Sequence, residues 1–406
     1  MTRRRGTCPG LADPLPTGDG LLARLALARA VPLDAFAALC AAAHAHGNGI
    51  VEITSRGSVQ VRGLTARSAP AFAAAVEALD IADAAAGRVV GNPLAGLDPH
   101  EIFDVTEVAD RLRDLLLESG LASKLAPKVS VVVDGGGALH LDAVPGDIRL
   151  RANATSGTAR FHVMLASGGP TAATCATIAP EHTVDTILAL LYEIATEGPT
   201  ARARDLPHPA RFANAALPRR PPAQPIGTHC LRDGSVVLGI GLPFGHSEAG
   251  TLQTVIEEAR HADAMSVRPA PGRVLLLIGI PPAQASGIVE KAERLGFITN
   301  PDDPRRRVVA CAGAPACAAA EIPTRALAPA IAAARSPDVQ TTIHVSGCTK
   351  GCAHPAAADV TVVGVRGKCG IVPNGRAQDA PVDFVMPADL PEYIARRAKV
   401  RELAHG

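Results

Sequence analysis

Tryptophan is absent from this chain, and two tyrosines with eight phenylalanines bring the aromatic share to only 2%. The 47% of apolar residues is enough for a sizeable core, but one packed from alanine, valine and leucine. Charge of one sign is lacking as well. Forty basic residues face thirty-nine acidic ones, a formal net charge of +1, so nothing draws the whole molecule to nucleic acid or an anionic membrane. An anionic ligand must be met by a local patch. No run approaches the roughly 18 apolar residues of a membrane span, and the longest, Val274 to Ile280, fits a buried strand. The start, MTRRRGTCPG, leads into proline, glycine and aspartate and not into the apolar run of a signal peptide. Nine cysteines is an odd and low count, which argues against a secreted disulfide scaffold and for a reducing, cytoplasmic compartment. Cys8, Cys40, Cys175, Cys230 and Cys369 stand alone and are expected to be small buried hydrophobes.

What is present is a series written twice. Asp19-Gly20 opens LLARLALA, a loop with Pro32, a helix from about Leu33 to His46, and IVEITSRGSVQVRGL. Asp233-Gly234 opens SVVLGIG, a loop with Pro243, a helix from about Ser247 to His261, and MSVRPAPGRVLLLIGI. The segment from Arg88 to Pro93 then lines up with Arg307 to Ala312, each before a helix, Thr106 to Ser119 and Ile322 to Ala334. PKVSVVVDGGGALHLDAV and TIHVSGCTKGCAHPAAADVTVVGV close the series as strand, glycine-rich turn, strand, with Gly135-Gly136-Gly137 read as a hairpin. The shared order, over roughly 170 residues at an offset of about 215, argues duplication with a ligand site in the seam between the copies. The Pro-rich stretch from Leu206 to Pro225 reads as the linker. Gly239-Ile240-Gly241-Leu242-Pro243-Phe244-Gly245 lacks the G-x-G-x2-G spacing that a dinucleotide pyrophosphate needs, and the repeat explains it better.

The second copy alone carries Cys311-x5-Cys317 in CAGAPAC and Cys348-x3-Cys352 in SGCTKGC. Glycine, alanine and proline around them let a backbone bend closely about a compact inorganic group. Thiolates suit iron–sulfur clusters or zinc, and the x5 interval is unusual for structural zinc, so a four-thiolate 4Fe-4S cluster is the expectation. The first copy has Asn92 and Lys128 at the corresponding places. Lys350, inside the cysteine loop, would offset thiolate charge. His354 is open to three readings: a ligand of a second iron, a proton donor, or a partner of the backbone. His44 and His46 straddle a helix end as capping or surface residues.

The strand around Arg56 places Arg56, Ser58, Gln60 and Arg62 on one face by period-2 alternation, with Val59 and Val61 facing a core. That polar face either lines a ligand cleft or is a solvated sheet face. Arg268 and Arg273 hold the corresponding place in the second copy and are candidate carboxylate partners.

The C-x5-C and C-x3-C pairs in a repeated α+β chain resemble the sulfite and nitrite reductase superfamily, over about Thr7 to Val372. The resemblance implies a duplicated α+β fold of two pseudo-twofold halves. Residues 1–85 and 226–300 would be ferredoxin-like half-domains, 86–205 an α+β domain without a cluster, 206–225 the linker and 301–406 the iron–sulfur domain. In that superfamily the 4Fe-4S cluster sits beside a sirohaem, whose iron the last cysteine also touches. CPG-x5-PTGDGLLARL, VVGNPLAGLDP and VDGGG are similar to the oxygen-using branch of aerobic cobalamin synthesis, which acts on the tetrapyrrole precorrin-3A. That branch implies hydroxylation at C20 with closure of a γ-lactone, a mononuclear non-haem iron in place of sirohaem, and NADH-derived electrons from a separate donor protein.

By the same resemblance Arg24 of LLARL points at the substrate side of the macrocycle, Arg56 and Gln60 match a T-x-R-x3-Q strand, and Lys128 matches the first of two active-site lysines. By itself Lys128 reads equally as an exposed lysine ahead of a strand. Arg24, Lys128 and His354 are thus the candidate catalytic residues, and Arg24, Arg56, Gln60, Arg62, Lys128, Arg268 and Arg273 the candidate substrate-binding ones. Ser130 replaces the second lysine, Gly91 the arginine expected before Asn92, and Thr-Lys-Gly the Pro-Asn common between the last cysteines. These departures point away from sulfite chemistry. A sirohaem-dependent reductase and a non-catalytic electron-transfer or redox-sensing protein remain the alternatives.

Overall fold

A computed structural model describes residues 9–82, 87–155, 157–166, 173–206, 217–218, 220–335 and 340–396. Cys8 and the side chain of Cys175 lie outside the described residues. Among the described residues, twenty strands form four five-stranded sheets, two per copy. The first runs in the order β1 (Leu15–Thr17), β2 (Gly20–Leu25), β5 (Val59–Leu64), β4 (Ile50–Ile53), β13 (His246–Glu248). Its counterpart runs β11 (Gly227–Cys230), β12 (Val236–Gly241), β15 (Val274–Ile280), β14 (Ser266–Ala270), β3 (Val31–Pro32). Each sheet therefore takes its last strand from the other copy. β13 pairs antiparallel with β4, and β3 with β14.

The exchange follows from what the helices bury. Helix α1 (Leu33–His46) turns Phe36, Leu39, Cys40 and Ala43 to one side at helical spacing. It packs on α6 (Ala249–His261), which buries Leu252, Val255, Ile256 and Ala259. With α2 (Ser68–Glu77) and α7 (Ala285–Arg294) they close one continuous core reaching from Ala23 to Phe297. Separating these two sheets would open that core to water. Helix α6 starts two residues later than its sequence pattern suggests because His246–Glu248 is drawn into the first sheet. Val274–Ile280 is buried throughout.

The other two sheets repeat one topology. β6 (Val89–Gly91), β7 (Val131–Asp134) and β8 (Ile148–Thr155) are parallel, and β9 (Thr158–Leu165) and β10 (Ala173–Ile178) continue antiparallel. β16 (Val308–Ala310), β17 (Ile343–Ser346), β18 (Ala358–Val365), β19 (Lys368–Gly375) and β20 (Asp383–Val385) do the same. Helices α3 (Thr106–Glu118), α4 (Leu121–Lys124) and α5 (Thr183–Glu197) cover the first, and α8 (Thr324–Ala333), which begins just after Pro323, covers the second.

This arrangement corrects the hairpin expected at Gly135-Gly136-Gly137. β7 and β8 are parallel, so the triple glycine belongs to a crossover loop, and LHLDAV forms no strand. The described part of the stretch between the copies is pinned down. Arg220 donates to Asp142 at 2.9 Å and also binds Asp134, Arg151 donates to the Pro218 carbonyl at 2.9 Å, and Arg306 donates to Gln224 at 2.6 Å. Cys40 and Cys369 are buried, and burial pushes their thiols up to about 12 and about 11. Cys230 is exposed, against expectation, because it ends an edge strand. No helix among the described residues is long and apolar enough to cross a membrane.

Candidate metal centre and the seam beside it

Two neighbouring parallel strands bring the four cysteines together. Cys311 follows β16 and Cys348 follows β17 at the same end of the sheet, where Ala310 lies opposite Val345. The Cys311 amide donates to the Val345 carbonyl at 3.2 Å, and the Gly347 amide donates to Cys311 Sγ at 3.2 Å. Thr324, first residue of α8, donates from Oγ1 to the Cys311 carbonyl at 2.6 Å. Cys317 is turned back by its amide bond to the Gly313 carbonyl at 2.8 Å. The loops touch where only glycine fits: a Cβ on Gly347 would stand 2.5 Å from that of Ala320.

Cys311, Cys317 and Cys348 are half-buried and Cys352 is exposed. Burial, then Cys348, Cys311 and Cys317, push the Cys352 thiol up, and Lys350 opposes them, so the four sulfurs share one electrostatic neighbourhood. Among the described residues, no three of the four sulfurs lie within 4.8 Å of one another. Thiolates around tetrahedral zinc lie about 3.8 Å apart, whereas among the described residues the ligand atoms gathered within 4.8 Å of one another belong to Asp134, His140 and Asp142. That acidic set is closed by the guanidinium of Arg220. Four soft donors, wide spacing and an amide N–H aimed at sulfur fit a multi-iron cluster.

Beside the cysteines, the first copy presents a polar row across its sheet. Arg24 on β2, Gln60 on β5 and Glu52 on β4 lie opposite one another. With its amide oxygen toward Arg24, Gln60 accepts from Arg24 Nε at 2.8 Å and donates to Glu52 at 2.7 Å. Glu52 also pairs with Arg325 of α8, and Arg62 Nε is 3.9 Å away. Burial raises the Glu52 carboxyl above its ordinary range against the pull of Arg325 and Arg62. His246, opposite Glu52 on β13, is held down to about 4 by burial and by Arg325. Glu52, Arg325 and His246 escape a reading of the sequence, since their neighbours come from strands and helices distant in the chain.

The remaining candidates fall into separate settings. Arg62 shares the face of Gln60, but its guanidinium is buried and bound to Asp19 and to the Ala316 carbonyl. Arg56 sits in the turn before β5, outside the alternating run, and donates to the Pro145 carbonyl at 2.8 Å. It lines a cavity of about 30 Å³ with Arg113 and Arg268, room for one water. Arg268 donates to the carbonyls of Pro93 at 3.0 Å and Ala28 at 2.9 Å, and burial, then Arg113, bring it down to about 10. Arg273 donates to the Ala353 carbonyl, next to Cys352, at 2.8 Å.

Lys128 is exposed just before β7, at the same sheet end as the Pro145 loop that Arg56 holds. Asn92 lies at the opposite end and is fully engaged within its own copy. It donates to Asp134, Gly136 and Leu139 and accepts from the Gly135 amide at 2.6 Å, so Asn92 and Lys128 do not share one wall. Ser130 is buried, its amide bonded to Asp147, and the Arg113 guanidinium approaches Gly91. His354 is half-buried, its ring 5.6 Å from that of His344 on β17. Burial, then His354 and Arg273, hold His344 down to about 4, and neither of its ring nitrogens has a partner.

Three comparisons with known proteins bear on this arrangement. Residues 14–79 match the model of the nitrite/sulfite reductase ferredoxin-like half domain. The chain is 37% identical to the precorrin-3B synthase of a Sinorhizobium species over 98% of its own length and 89% of the relative's. It is 24% identical to a ferredoxin–nitrite reductase of Synechococcus elongatus, over 78% of this chain and 70% of that one. The solved NirA protein of Mycobacterium tuberculosis superposes with a TM-score of 0.75 at 18% identity, covering 93% of this chain and 80% of that chain, which establishes a shared fold.

Proposed function

The chain belongs to the precorrin-3B synthase family, within the sulfite and nitrite reductase superfamily, and from that premise we propose an oxygen-dependent monooxygenase that converts precorrin-3A to precorrin-3B. One atom of O2 enters the substrate as the C20 hydroxyl while the ring A acetate closes as a γ-lactone, and the other leaves as water. NADH supplies the two electrons through a separate donor protein, in the cytoplasm. The observation that carries the reading is near full-length identity combined with four thiols beside a cationic seam.

A 4Fe-4S cluster on Cys311, Cys317, Cys348 and Cys352 would relay electrons, and a mononuclear non-haem iron would supply oxygen activation. The chain's own residues hold and orient the substrate. Arg24, whose Nε and Nη2 donate to Gln60, offers its remaining N–H groups to a macrocycle carboxylate, and Glu52 fixes Gln60 in turn. Lys128, exposed and near the Arg56 loop, offers a second cation to the peripheral acetates and propionates. Arg268 and Arg273, bonded to carbonyls, shape the walls without leaving their partners. Held by several carboxylates, the ring can turn only one meso carbon toward the site, which is the positional selectivity the reaction needs.

Anaerobically purified protein, incubated with precorrin-3A, a reductant and O2, is expected to yield the hydroxylated lactone with one atom of label from ¹⁸O2. An intact cluster with no oxygen-dependent product would sink the proposal. Strong visible bands of sirohaem in the purified protein would turn it toward a sirohaem reductase.

A further inference from the structure

A loop of five small residues between Cys311 and Cys317 has little means of holding its own shape, and the first copy supplies it. The Ala316 carbonyl, immediately before Cys317, accepts from two donors across the seam: the Gly18 amide at 3.1 Å and Arg62 Nη2. Gly18 is needed for the approach, because a Cβ there would stand 2.1 Å from the Pro315 carbonyl. Arg62 is aimed by a two-pronged pair with Asp19, Nε to Oδ2 and Nη2 to Oδ1, both at 3.0 Å. Asp19 is fixed in turn by Thr17 Oγ1 at 2.8 Å and Asn48 Nδ2 at 3.1 Å. The side chains of Arg62 and Asp19 are 5% and 18% exposed, so water screens them poorly. Burial works against the ionised guanidinium, and Asp19, Glu52 and Cys317 outweigh it.

We propose that the Asp19–Arg62 pair is a built part of the metal centre: it holds Cys317 in place through the Ala316 carbonyl and keeps the charge beside that sulfur balanced. The inference rests on reading the four cysteines as cluster ligands. Arg62 is accordingly a positioning residue of the cluster, not a ligand of the substrate. The two members of the pair carry opposite charges at one place. Removing Arg62 leaves a bare carboxylate beside the cluster, which disfavours an added electron. Neutralising Asp19 leaves a bare guanidinium, which favours it.

The test is a potentiometric titration of the full-length protein carrying its cluster, followed by EPR, for the wild type, Arg62→Met, Arg62→Lys and Asp19→Asn. Arg62→Met is expected to shift the reduction equilibrium about tenfold toward the oxidised cluster, and Asp19→Asn about tenfold toward the reduced one. For a one-electron couple each shift is about 59 mV. Arg62→Lys keeps the charge and the wild-type midpoint but loses its iron to a chelator several-fold faster, since an ammonium cannot reproduce the fork. Shifts of the same sign, or none, with the cluster intact would overturn the proposal and leave the cluster reading standing. If Arg62→Met does not fold, an unmoved midpoint in the near-isosteric Asp19→Asn overturns it alone. Wild-type protein without iron and sulfide in the ratio of a 4Fe-4S cluster overturns both readings together.

Discussion

The two copies of the α/β sheet differ most in the loop that crosses from the second strand to the third. In the first copy that loop is saturated from within: Asn92, Asp98 and Asp134 bond its amides, and Arg149 and Arg220 bind its carbonyls and carboxylates. In the second copy it is the Cys348–Cys352 loop, where Thr349, Lys350 and Gly351 bring no carboxylate or amide side chain to bond it. The correspondence extends to the sheet above. Arg56 donates to the Pro145 carbonyl just before β8, and Arg273 donates to the Ala353 carbonyl before β18, so one arginine at each hairpin tip holds one crossover loop. A duplicated scaffold thus kept the same mechanical support in both copies. The two cysteine pairs are confined to the copy whose crossover loop lacks carboxylate and amide side chains.

That contrast can be broken from either side. The largest effect is expected from Cys348→Ala, which should abolish cluster assembly, read as loss of bound iron and sulfide, while the fold survives. In the first copy Asn92→Ala, at the place of Cys311, strips hydrogen bonds from a buried loop and should cost about 2 to 4 kcal/mol of stability by denaturant titration, with iron content unchanged in the folded fraction. Arg24→Met should lower kcat/KM for the macrocycle roughly 10- to 100-fold with the cluster spectrum intact, since Arg24 carries no cysteine loop.

A smaller effect concerns pH. His246 and His344 are both held near 4 in the folded chain against about 6.5 when unfolded. As the pH falls below 6.5 the unfolded chain takes up protons that the folded chain refuses, so stability present at neutral pH is lost toward pH 4. The loss should be on the order of 3 kcal/mol for each histidine, and His246→Phe should flatten the pH dependence of Tm over that window. Cys230→Ser, on the exposed edge of the first copy's partner sheet, should change stability by less than about 0.5 kcal/mol.

Much of this was legible in the linear chain. The repeat placed α1 at its observed bounds, and glycine and alanine around the cysteines marked a close-packed loop. Val59 and Val61 face the core as their alternation required. Legibility failed where pairing is non-local. Arg56 to Arg62 reads as one polar face, yet a turn at Gly57 takes Arg56 out of the strand, and Arg62 meets an aspartate 43 residues away and a carbonyl 254 residues away. The triple glycine looked like a hairpin because local composition does not distinguish a tight turn from a crossover. Only the parallel pairing of β7 with β8 decides that.

The sequence by itself determined which residues could ligate soft metal, that one copy alone carries them, and that the chain is doubled, because thiol chemistry, spacing and repetition are properties of a string. Tertiary structure alone decided that the halves exchange strands, that Glu52 and Arg325 join Arg24 at the seam, and that Arg62 serves the cysteine loop. Those outcomes depend on the packing of one shared core, which sets strands from opposite ends of the chain side by side and turns their charges to face one another.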